Sequence, residues 1–124
     1  MISQNYHKNI DTLQEFVDGI PYAATLCSFD YMEPKILVAN KLHEKLTGYS
    51  NNEVVGRSPR IFKGNCTAES VSKYIRSQLE MCHFVSVNIL NHTKLAIPHE
   101  ITLIICGVVV DKKNYYVAIK HPSK

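Results

Sequence analysis

No apolar run in this 124-residue chain approaches the ~20 residues that a membrane-spanning helix requires. Nor does any run of lysine or arginine stand out. The net charge is only +3 and the basic residues are scattered, whereas a nucleic-acid surface gathers them on one face. The four cysteines, Cys27, Cys66, Cys82 and Cys106, contain no CxxC pair, and no Cys/His cluster has zinc spacing. There is no Ser-His-Asp order, no paired-carboxylate motif and no phosphate-loop pattern, so nothing singles out an enzyme. Repeats and low-complexity segments are missing. The first apolar stretch is broken by Lys8, Asp11 and Glu15, which leaves no core for a secretory leader. These absences set the expectations: no catalysis, no membrane or nucleic-acid partner, a cytoplasmic location and reduced thiols acting mostly as small buried hydrophobes.

What is present is an ordinary globular composition, 45% apolar and 20% charged, in a chain long enough for one domain with a real core. Residues 6–19 form an amphipathic pattern in which Ile10, Leu13, Phe16, Val17 and Ile20 fall near one stripe. Gly19 followed by Pro21 stops it. Residues 24–29 and 35–39 are predicted strands joined by a turn over 30–34. A short helix over 40–47 pairs Leu42 with Leu46 and ends at Gly48. Ser50 and Glu53 match the S-x-x-E capping box of a second short helix, and Pro59 suits the first turn of a third. The clearest helix covers 67–81, with Thr67 able to cap it and Val71, Ile75 and Leu79 on one face. The last third is β. Val85, Val87 and Ile89 alternate within 83–92; Ile97, His99, Ile101, Leu103 and Ile105 share a face of a long strand; 115–120 is a final strand. Strands at both ends around helices predict an α+β fold, an antiparallel sheet with a pocket beneath the helices.

The run ILVANKLHEKLTGYSNNEVVGRSPRIFKG, with the later EITL and YYVAIK strands, resembles a PAS domain over about residues 20–121. The resemblance implies a five-stranded antiparallel sheet with short helices on one face, divided as an N-terminal flanking helix over 1–20 and the PAS domain over 21–124. It implies a regulatory sensor or interaction module in signal transduction that senses a small ligand or relays a signal through dimerisation. The partners implied are a second copy in a homodimer and an effector. The effector lies either in a larger protein of which this chain is a fragment or in a separate protein on which it acts in trans.

The branch it resembles most is the light-oxygen-voltage, or LOV, type, whose flavin motif reads GRNCRFLQ. The matching residues are Gly56-Arg57-Ser58-Pro59-Arg60-Ile61-Phe62-Lys63. The adduct-forming cysteine falls on Pro59, which has no thiol, and Cys66 lies seven residues further on and does not replace it. The resemblance leaves the cofactor open, with flavin mononucleotide (FMN) as one candidate, and the alternative function is a LOV-like flavin-binding light or redox sensor without cysteinyl adduct chemistry. Phosphate-contacting arginines of the family match Arg60 and Arg76. Ring-contacting positions match Asn91, His99 and, in the last strand, Lys120. Paired guanidiniums suit a phosphate or another anion. A lysine donates only, so Lys120 favours an anionic or acceptor-rich ligand, unless its stem packs inside and its amine reaches water. Arg60 and Arg76 as solvated surface groups, His99 as a satisfied half-buried histidine and Asn91 as a strand-end backbone partner are the competing assignments. Haem is disfavoured, because the helix over 67–81 carries no histidine.

Overall fold

A computed structural model describes residues 2–63 and 69–123. Five strands form one antiparallel sheet: β1 (Ala23–Ser28), β2 (Ile36–Ala39), β3 (Phe84–His92), β4 (Pro98–Val110) and β5 (Lys113–Pro122), in the order β2-β1-β5-β4-β3. The helices are α1 (Ile2–Asp18), α2 (Lys41–Thr47), α3 (Asn51–Val54) and α4 (Glu69–Cys82), with a 3-10 turn at Pro59–Phe62. The predicted elements are all there, with ends moved by a few residues. Ile97 lies just outside β4 and is exposed. The expected helix start at Thr67 and Cys66 lie outside the described residues.

The period-two geometry of the strands decides which side chains face which layer. In β1, Ala24 and Leu26 point to one face, and Thr25 and Cys27 to the other; opposite them in β5, Val117 pairs with Leu26 and Tyr116 with Cys27. Both faces are covered, so β5 is buried on consecutive residues and shows no clean alternation in the sequence. A bulge keeps β2 in phase. Leu26 faces Val38 and Cys27 faces Ile36, which leaves Leu37 as the extra residue.

The outer face carries α1. Its stripe, with Leu13 and Val17 fully buried, packs on Ala24, Leu26, Val38 and Val117. Burial of each such side chain stabilises by about 1.5–3 kcal/mol. The inner face carries the other helices, with Val54, Phe62 and Leu79 against Cys27, Val85 and Tyr116.

Asn40 ties the two layers together. Its carboxamide oxygen accepts from the Ala24 N–H (3.0 Å) and the His43 N–H (2.9 Å), and its amide donates to the Tyr22 and Val17 carbonyls (2.8 and 3.1 Å). One side chain thus caps α2 and holds the end of α1 to the start of β1. Gly48 closes α2 at φ 80°, a left-handed conformation that glycine adopts without a Cβ penalty. The predicted capping box is formed: Ser50 Oγ accepts from the Glu53 N–H, and the Glu53 carboxylate accepts from the Ser50 N–H. The loop after β3 docks here too, through the Lys94 N–H on the Thr47 carbonyl (2.9 Å) and an ion pair of Lys94 with Glu53.

One expectation for α2 is corrected. Leu42 and Leu46 do not form its inward stripe. Leu42 is exposed, and the buried pair is His43 and Thr47. The Asn40 cap sets the rotation of this two-turn helix, and hydrophobicity does not override it.

Candidate functional site

Between the inner face of the sheet, the 3-10 turn and α4 lies a cavity of about 160 Å³. Its apolar wall comes from Phe62, Ile75, Leu79, Leu103 and Ile105. Four of the five predicted site residues, Arg60, Arg76, Asn91 and Lys120, line this one space, and Pro59 lines it as well. Arg60, on the 3-10 turn, is exposed, and Arg76, on α4, is half-buried, so the guanidiniums belong to the accessible side. Asn91 and Lys120 are buried at 4% and 5% exposure. His99 is the exception. It faces Asn91 across the β3–β4 ladder but does not line the cavity. Its ring nitrogens are buried without hydrogen-bond partners among the described residues, and burial lowers its pKa.

Lys120 dominates the electrostatics. Its Nζ is buried and meets no hydrogen-bond acceptor among the described residues. It lies 3.4 Å from the centre of the Phe62 ring, a cation–π contact that replaces part of the lost hydration. Burial pulls its pKa from the ordinary 10.5 down to about 7. Register explains the placement: residues 116, 118 and 120 of β5 share the inner face, so Tyr116 and Ala118 line the cavity with Lys120. The expectation that the lysine stem packs inside while the amine reaches water is therefore not met.

Two neighbours respond to the same burial. The Cys27 thiol is pushed up to about 11, mainly by burial, with a contact to Thr25 Oγ1 (3.8 Å) and the Lys120 charge opposing. His43 is fully buried, its ring edge-on to Phe62 at 5.1 Å between centroids, and neither ring nitrogen finds a partner among the described residues. Burial first, and the Lys120 charge second, lower its pKa to about 2, so the ring is neutral. The sequence reading missed His43, because Leu42 and Leu46 show the same four-residue spacing as His43 and Thr47. It also missed Tyr116 and Cys27, for which a signal existed in their alternation with Lys120 and Thr25. Tyr116 stacks on Phe29 (4.7 Å between centroids), and its hydroxyl bonds His83 Nδ1 at 2.9 Å.

Chemically, the site is a small, mainly apolar chamber whose wall carries one buried amine and one buried carboxamide, with basic groups at its accessible side. It is suited to hold an acceptor-rich or anionic molecule. Among the described residues no group of three or more His, Cys, Asp or Glu could hold a metal ion, and no helix is long and apolar enough to cross a membrane.

No family model matches the chain. It is 28% identical over 96 residues to Protein TWIN LOV 1 of Arabidopsis thaliana, covering 77% of this chain and 24% of that protein. It is 26% identical over 73 residues to Blue-light-activated histidine kinase 2 of Erythrobacter litoralis (strain HTCC2594), covering 59% of this chain and 21% of the relative. The chain thus spans about a quarter or less of these relatives' lengths. Among solved structures, the LOV protein of Rhodobacter sphaeroides superposes with a TM-score of 0.80 at 19% identity, covering 94% of this chain and 67% of that one. The LOV domain of the Erythrobacter litoralis EL346 blue-light-activated histidine kinase gives 0.74 at 22% identity, covering 83% and 96%. A LOV domain studied with a flavin analogue gives 0.75 at 22% identity, covering 94% and 85%. The fold is that of a PAS domain. Within that class it is the fold of the LOV domains.

Proposed function

We propose that the chain is a regulatory sensor domain in signal transduction, whose input is a small molecule held in the cavity above Lys120. The observation that carries this reading is the buried Lys120 Nζ, without a hydrogen-bond acceptor among the described residues, in a chamber lined also by Arg60 and Arg76. A fold that only scaffolds has no use for a desolvated amine, which costs several kcal/mol when unpaired. The relatives named above include a blue-light-activated histidine kinase, of which the match covers 21%, and this supports an effector in the same polypeptide or in a separate protein. In this reading residues 1–20 are a flanking helix, residues 21–124 the sensor domain, and a homodimer is the working assembly. Asn91 and Lys120 contact the ligand, Arg60 and Arg76 draw it in from the accessible side, and His99 flanks Asn91 on the neighbouring strand.

A second reading, FMN as the bound molecule, is favoured by the two arginines on the accessible side, where a phosphate would sit. The residues fit FMN at that end and not at the ring end. A cavity near 160 Å³ is about the size that admits one benzene ring, below the ~300 Å³ where ligand pockets usually begin. Phe62 and Lys120 fill the space beside it, and Lys120 presents donors only. Pro59 excludes a thiol adduct at its position.

The test is the visible absorption of the purified protein, in the dark and after blue light, before and after incubation with FMN. The first reading predicts a colourless protein that retains no flavin after gel filtration. Flavin bands near ~450 nm that do not bleach to an adduct would favour the second.

A further inference from the structure

The Lys120 environment narrows the ligand further, on the premise that the cavity is a ligand site. The groups that face its amine are the Phe62 ring from the 3-10 turn, Cys27 from β1, His43 from α2 and His99 from β4. Among the described residues no carboxylate acts on it, and neither ring nitrogen of His43 finds a partner. The amine itself is the donor that is short of an acceptor. On the accessible side Arg60 and Arg76 add positive charge, which draws anions toward the opening. Along α4 and β4 the wall is mainly apolar, with Ile75, Leu79, Leu103 and Ile105 facing the body of a ligand, while Thr25, Ser58, Ser72 and Tyr116 add hydroxyls elsewhere on it.

We propose that the ligand is a compact monocarboxylic acid with an aromatic or branched apolar body of about benzoate size, its carboxylate seated on Lys120 Nζ and its body against α4 and β4. The carboxylate supplies the acceptor that the amine lacks and holds it in the charged form, so binding takes up a proton near neutral pH. Size follows from the chamber, since about 160 Å³ accommodates one ring and not three. Position follows from depth: the acid lies on the buried amine, and the exposed Arg60 acts only in steering.

The experiment titrates the full chain with benzoate and with benzyl alcohol, its neutral counterpart, by calorimetry and by amide NMR shifts. It is repeated on Lys120→Met and on the Arg60→Ala/Arg76→Ala pair. Benzoate should bind the native chain about tenfold or more tighter than benzyl alcohol, the scale of a charge-assisted hydrogen bond. Lys120→Met should remove that preference, and the arginine pair should keep it. If Lys120→Met does not fold, the native chain decides alone: benzoate affinity should fall from pH 7 to pH 9 while that of benzyl alcohol stays level. Benzyl alcohol binding as well as benzoate, or loss of benzoate affinity only in the arginine pair, would overturn the acid-on-lysine assignment and leave the ligand cavity standing. No shift at Ile75, Leu79 or Ile105 with either compound would overturn both.

Discussion

The Lys120 amine sits 3.4 Å above the centre of the Phe62 ring, with no hydrogen-bond acceptor among the described residues. In a flavin-binding LOV domain the matching glutamine can both donate and accept. Here a donor-only group shares the same space with an aromatic ring. This pairing shapes the chamber, sets its charge and determines what it can hold.

A buried amine with a lowered pKa makes stability depend on pH. The unfolded chain binds a proton at Lys120 up to pH 10.5, and the folded chain gives it up at about 7. Between these values the unfolded state holds more protons, so stability rises with pH. Cys27 opposes this above pH 9, where the unfolded thiol ionises and the folded one, raised to about 11, does not. Chemical denaturation should therefore show stability increasing from pH 7 to pH 9. Lys120→Met should flatten that slope and raise the denaturation midpoint at pH 7. An unchanged slope would mean that the amine is hydrated.

His43 acts at the acid end. Its folded pKa is lowered to about 2 against an ordinary 6.5, so the unfolded state gains a proton first, and stability falls as pH drops below 6.5. His43→Leu should move the acid-unfolding midpoint to lower pH. Circular dichroism across pH 7 to 3 checks this.

Asn40→Ala should be among the most destabilising single changes outside the apolar core. It leaves the Ala24 and His43 N–H groups and the Val17 and Tyr22 carbonyls without their partner. A loss of about 2–4 kcal/mol is expected in urea denaturation, from several unmet buried groups at once. A loss no larger than a simple helix-cap removal, about 1 kcal/mol, would show that water replaces the carboxamide.

Helix α1 is part of the monomer's core as well as a candidate dimer element. Leu13→Ala should cost about 2–5 kcal/mol, because the side chain is fully buried against Ala24 and Val117. Removal of residues 1–19 should produce a loosened chain that binds a hydrophobic dye, not a well-folded monomer. A cooperative, native-like melt of that truncation would transfer the stripe to an intermolecular role.

Much of this was legible in the sequence, and the misses have physical causes. The hairpins, the Ser50–Glu53 capping box and the stripe of α1 rest on local rules, so they could be read directly. Asn91 and Lys120 were singled out by the LOV resemblance alone, and both line the cavity. The facing surface of α1 was not legible, since a stripe does not say whether it meets the sheet or a second copy. His43 was hidden because two stripes on α2 share one spacing, and the Asn40 cap that decides between them is itself held by α1 and β1. The depth of Lys120 and its contact with Phe62 are consequences of packing between segments about sixty residues apart, which no local pattern encodes.

The most direct test of the central claim is the titration of Lys120 itself, followed by NMR through its ¹³Cε and Nζ resonances in the full chain and assigned with Lys120→Met. The account predicts a midpoint at about 7, far below the ordinary 10.5, moving upward when benzoate is added. A midpoint near 10.5, unmoved by an acid, would mean that the amine lies in water and that the chamber has no buried cation to offer a ligand.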